Sequence, residues 1–103
     1  MNKHLKYIKI KGNLKSRGEY ITNPAEYRPY EAVTLVDSEG DEIHFHSLIF
    51  SKRMDDALDY SKELIFYILR AKKKDKMAGV LYAVDTGTKK IYYPELAIEA
   101  LKS

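Results

Sequence analysis

The stretch VTLVDSEGDEIHFH, residues 33–46, restricts the fold of this chain more than any other. Two strand-like runs, Ala32 to Val36 and Glu42 to His46, flank Asp37, Ser38, Glu39, Gly40 and Asp41. Alternation of apolar and polar residues at period two marks a strand with one wet face, and a polar turn with a glycine free to adopt positive φ joins two such strands into an antiparallel hairpin. Val33 and Leu35 then face the core with Ile43 and Phe45. Thr34, His44 and His46 share the opposite face, because successive side chains point to opposite sides of a strand.

Other elements follow from the same reading. Ile8 and Ile10 alternate with Lys9 and Lys11, which predicts a strand over residues 5–11. Gly12, Gly18, Pro24 and Pro29 punctuate residues 12–30, a long loop with a short strand at Glu19 to Thr22. Met54, Ala57, Leu58 and Ser61 fall at helical spacing, with Asp55 and Asp56 near the N-terminus where the helix dipole favours them, so a helix is expected over 54–63. Two readings remain for the segment after it. Periodicity continues through Ile65, Ile68 and Leu69 and is compatible with one helix from Met54 to Lys74. The run LIFYIL, residues 64–69, would leave such a helix apolar almost all round, and its aromatic and branched side chains favour a strand. Met77 to Val84 reads as a strand, Asp85-Thr86-Gly87 as a turn, and Lys90 to Tyr93 as a short strand. Pro94 then opens a short C-terminal helix with Leu96, Ala97, Ala100 and Leu101 on one stripe.

A chain of 103 residues makes a single domain, residues 1–103, with one core. It has no cysteine, which excludes disulfides, thiolate metal sites and cysteine nucleophiles and makes a cytoplasmic location the default expectation. No apolar run approaches the length of a membrane span, and the lysine-rich N-terminus lacks the apolar block of a signal peptide. The net charge of +3 is unevenly spread: residues 1–30 carry +5, residues 31–63 carry −6 and residues 64–103 carry +4. Two readings of that polarity stay open: it steers an anionic partner to one side of the molecule, or the segments fold back on each other into an ordinary mixed surface.

The resulting order is strand, long loop, two-stranded hairpin, helix, strand, basic loop and strand, with a further strand and helix appended. Through Val84 it resembles the oligonucleotide/oligosaccharide-binding fold, a mainly β (α+β) class in which a small five-stranded barrel carries a helix between its third and fourth strands. The resemblance is one of topology and covers about four-fifths of the chain by that order of elements. The appended strand and helix keep a pleckstrin-homology-like barrel as the alternative fold. In proteins with the oligonucleotide-binding barrel, ligands cross the outer face of strands two and three between two flanking loops. Carried onto this chain, the resemblance implies Thr34, His44 and His46 on that face. It implies Lys15, Arg17, Tyr20, Tyr27, Arg28 and Tyr30 in the first loop, and Lys72, Lys73, Lys74 and Lys76 in the second.

Basic residues interleaved with tyrosines suit a single strand of DNA or RNA, because cations neutralise phosphates and rings stack on bases. Asp37, Glu39, Asp41 and Glu42 oppose that reading locally by repelling phosphates, and they fit a basic protein partner instead. The function expected is therefore a small non-enzymatic binding module for single-stranded nucleic acid. A protein-interaction or regulatory domain on the same barrel is the alternative, and anionic-lipid binding on a pleckstrin-like barrel is a third. No metal or cofactor is expected. His44 and His46 would need a third ligand such as His4 or Glu42, and the Asp37–Asp41 run lacks the length and terminal glutamate of a calcium loop. No nucleophile elbow, phosphate-cradling glycine loop or HExxH occurs, so no enzymatic activity is expected. Ligand identity and oligomeric state are not encoded in any motif.

Overall fold

The computed structural model describes residues 5–20, 27–73 and 76–92. Its elements in chain order are β1 (Leu5–Ser16), β2 (Tyr27–Asp37), β3 (Glu42–Ser51), α1 (Lys52–Ala57), β4 (Leu64–Lys73), β5 (Lys76–Asp85) and β6 (Lys90–Tyr92). Neighbouring strands run β3-β2-β1-β4-β5-β6, and β3 also pairs in parallel with β5 through Leu48 and Gly79. The first five strands thus close into a barrel, and β6 is bonded to its outside. This is the mainly β class expected, with the helix between β3 and β4. The expected C-terminal helix lies outside the described residues.

Closure depends on β1 serving two neighbours. Leu5 to Gly12 pairs with β4, and Gly12 to Ser16 pairs with β2. The change of partner falls on Gly12, where an added Cβ would lie 1.9 Å from the carbonyl oxygen of Val36. Only a residue without a side chain lets the two backbones approach so closely. The hairpin that opened the sequence reading forms as its alternation requires. Val33 pairs with Phe45 and Leu35 with Ile43, and Gly40 sits at φ 89° in the turn. Val33, Leu35 and Phe45 are buried together with Leu48, Phe50, Met54, Phe66, Ile68, Leu81 and Val84 in one core inside the barrel. A smaller cluster of Leu69, Val80, Tyr27, Ile49 and Tyr82 packs separately from it.

Three boundaries differ from the sequence reading, each for a physical reason. Strands β1 and β2 extend into the stretch read as a long loop, and Pro29 lies within β2. Proline is tolerated there because Pro29 itself is in register only with Ile49 of β3; on the other edge the Tyr20–Tyr30 bridge and the bonds of Glu31 to Gly18 and Glu19 begin after it, and β1 joins β2 from Thr34 onward. The helix is shorter than its periodicity implies. Ser51 caps it by accepting from the Arg53 and Met54 N–H groups, and Leu58 is already extended. Beyond it the chain is held against the barrel, where Leu14 N–H donates to the Tyr60 carbonyl at 2.9 Å. The single long helix is excluded, since Leu64 to Lys73 is a strand paired with β1 and β5. Six consecutive apolar residues suit this strand because one side of it lines the barrel core and the other side adds Leu69 to the outer cluster.

Candidate functional site

On the outer face of β2 and β3 the residues singled out from the sequence pair with one another. Thr34 Oγ1 and His44 Nδ1 are 3.0 Å apart, and His44 Nε2 lies 3.4 Å from Glu42. Lys15 Nζ is bonded to the other Glu42 oxygen, and this contact holds the Glu42 carboxyl below its usual range. His46 is exposed beside them. Lys15 is therefore a neutralised cation at this face rather than a free one. At the hairpin tip, oxygens of Asp37, Glu39 and Asp41 lie within 4.8 Å of one another, with Asp37 Oδ1 accepting from the Glu39 and Asp41 N–H groups at 2.9 Å each. Among the described residues this exposed acidic cluster is the one set of potential metal-ligand side chains that converges. It also makes this end of the β2–β3 face repulsive to phosphate.

The residues expected in the first loop divide, and four of them lie in strands instead, Lys15 in β1 and Tyr27, Arg28 and Tyr30 in β2, because both strands extend into that stretch. Arg17, Arg28 and Tyr30 turn inward onto Asp55, a helix residue whose side chain is only 3% exposed. Its Oδ1 accepts from Arg17 Nη1 at 3.1 Å and Tyr60 Oη at 2.8 Å, and its Oδ2 accepts from Arg28 Nη1 at 3.1 Å and Tyr30 Oη at 2.9 Å. The Arg17 guanidinium also lies 3.9 Å from the Tyr30 ring centroid and 5.0 Å from that of Phe50. Four donors on a nearly buried carboxylate compensate its desolvation, which an unpaired charge could not survive. Burial, reinforced by the Asp55 charge, pushes the Tyr60 phenol far above its ordinary range. Tyr30 is raised for the same reasons.

Of the remaining residues, Tyr20 borders that cluster and the others lie elsewhere. Tyr20 is exposed and meets Tyr30 edge-on at 5.1 Å, with the Arg28 guanidinium 5.2 Å from its ring. Tyr27 packs on the cluster of Leu69 and Val80. Lys72 and Lys76 are exposed at the β4–β5 hairpin, where Lys73 is also in register with Lys76, and Lys74 lies outside the described residues. The structure thus brings Lys15, Thr34 and His44 together, gathers Arg17, Arg28 and Tyr30 elsewhere, and sets the hairpin lysines at a third position.

Sequence reasoning singled out none of the tyrosines on the outer face of β1, β4, β5 and β6. Tyr82 meets Tyr7 at 5.5 Å, Tyr92 at 6.1 Å and Tyr67 at 6.4 Å between ring centroids. Lys90 Nζ lies 4.2 Å and Lys9 Nζ 5.9 Å from the Tyr67 ring. Burial and the neighbouring phenols raise the Tyr82 hydroxyl above its ordinary value. The available signal was Tyr7 and Lys9 alternating with Ile8 and Ile10, which puts ring and ammonium on the wet side of β1. Comparison with protein-family models, curated proteins and solved structures gives no match for this chain.

Proposed function

We propose that this protein is a small non-enzymatic binding module for single-stranded nucleic acid, built on a barrel of the oligonucleotide/oligosaccharide-binding superfamily. The closed five-stranded arrangement with a helix between its third and fourth strands supports the superfamily assignment. The observation that carries the functional reading is the segregation of charge. Strands β1, β4, β5 and β6 contain nine Lys and Arg residues and a single acid, Asp85. The β2–β3 hairpin instead gathers Asp37, Glu39, Asp41 and Glu42, the last paired with Lys15 of β1. A small barrel with one basic side attracts a polyanion from solution and orients it, and phosphate neutralisation then releases counterions.

Fluorescence anisotropy of labelled single-stranded DNA and RNA across a salt series tests this reading. The expected result is an affinity that falls linearly in log salt, with a slope of about 0.7 per phosphate contacted. An absence of binding at low salt, where the attraction is strongest, would refute it.

A further inference from the structure

We propose that the strand is held on the outer face of β1, β4, β5 and β6, with bases stacking on Tyr7 and Tyr92 and phosphates meeting Lys9 and Lys90. This inference rests on the nucleic-acid reading above and names a surface other than the one carrying Thr34, His44 and His46.

Geometry supplies the platform. Tyr82 is the extra residue at the irregularity where β5 shifts register against Tyr67 and Ile68 of β4. A bulge of this kind re-aims a side chain out of the regular pleat. The Tyr82 ring stands between Tyr7 and Tyr92 and meets both edge-on, at interplanar angles of 86° and 70°. The two flanking rings are braced at one edge while remaining 67% and 55% exposed. Rings so exposed offer aromatic surface to a base, and stacking accepts any base because every base has a π-face.

Charge identifies the occupant. The Lys90 ammonium rests near both Tyr67 and Tyr92, at 4.2 and 5.8 Å from their centroids, and Lys9 approaches Tyr67 from β1. Among the described residues neither lysine forms an ion pair with a carboxylate. The one acid in these strands, Asp85, accepts the Gly87 N–H at 2.8 Å. An apolar or acidic protein surface would match the rings or the lysines separately. Alternating rings and cations match the alternating bases and phosphates of one strand.

The test compares binding of a labelled thymidine oligomer and of an abasic oligomer of equal length to the full chain and three double variants. Tyr7→Ser with Tyr92→Ser is expected to weaken thymidine-oligomer binding by at least about tenfold and to leave abasic-oligomer binding unchanged. Lys9→Gln with Lys90→Gln is expected to weaken both and to lower the salt slope by about 1.4. Lys72→Gln with Lys76→Gln reports the hairpin tip separately. Circular dichroism melts confirm that each variant folds. If the parent binds and the tyrosine variant binds equally well, the surface assignment is overturned while the nucleic-acid reading stands. If the parent binds neither oligomer at low salt, both fall.

Discussion

Two regions of this barrel combine cations with tyrosine rings and put the combination to opposite uses. At one, Arg17 lies against Tyr30 and Phe50, Arg28 lies near Tyr20, and both guanidiniums donate to Asp55. At the other, Lys9 and Lys90 rest on Tyr67 and Tyr92 on an exposed face. Residue chemistry accounts for the division. A guanidinium is planar, weakly hydrated and able to stack while its N–H groups bond in the ring plane, so it tolerates partial burial against a carboxylate. An ammonium is compact and strongly hydrated, and it stays at the water boundary with its stem along the ring. The lesson is that aromatic and basic composition alone does not mark a binding site. A converging carboxylate turns the same ingredients into internal structure.

The sharpest way to break this comparison is to remove that carboxylate. Asp55→Ala is expected to cost about 3 kcal/mol in urea unfolding, because two partly buried guanidiniums and two phenols lose their common acceptor. A cost under about 1 kcal/mol would place the Asp55 pairs with ordinary surface ion pairs.

A smaller change separates hydrogen bond from charge. Tyr60→Phe removes one bond to Asp55 and is expected to cost about 1 kcal/mol near neutral pH. The folded chain keeps the Tyr60 proton well above its ordinary value of 10.0, whereas the unfolded chain releases it there. This contribution to stability is therefore complete below about pH 10 and declines as pH rises further. The Phe variant, with no proton to release, should lose stability less steeply in alkali than the parent. Parallel stability curves for the two proteins above pH 10 would contradict this account.

The smallest effect is expected on the outer face. Lys90→Gln should change stability by no more than about 0.5 kcal/mol, since exposed cation–π contacts contribute little and the side chain is free to hydrate. A loss above about 2 kcal/mol in the same urea titration would make the lysine–tyrosine face a structural cluster like that around Asp55, and the contrast would vanish.

Legibility differed between these regions. Period-two alternation at Val33, Leu35, Ile43 and Phe45 was readable because a strand's two faces are set by the strand alone. Helical spacing at Ser61 misled, because a periodic residue extends a helix only when nothing else recruits the chain. Here Tyr60 is recruited both by Asp55 and by the Leu14 N–H. Arg17 and Arg28 were recognisable as basic residues beside tyrosines, but their acceptor lies 38 and 27 positions away.

By itself the sequence determined the antiparallel hairpin, the absence of thiol chemistry in these residues and the unequal charge of its thirds. These are properties of composition and of local period. Tertiary structure alone decided which cations meet carboxylates and which meet rings. Tyr7, Tyr67, Tyr82 and Tyr92 come from four strands that become neighbours when β1 pairs with β4 and β5 carries β6 outside the barrel. Periodicity assigns a residue to a face of its own strand, but barrel closure through Gly12 and the β3–β5 pairing chooses which faces lie side by side.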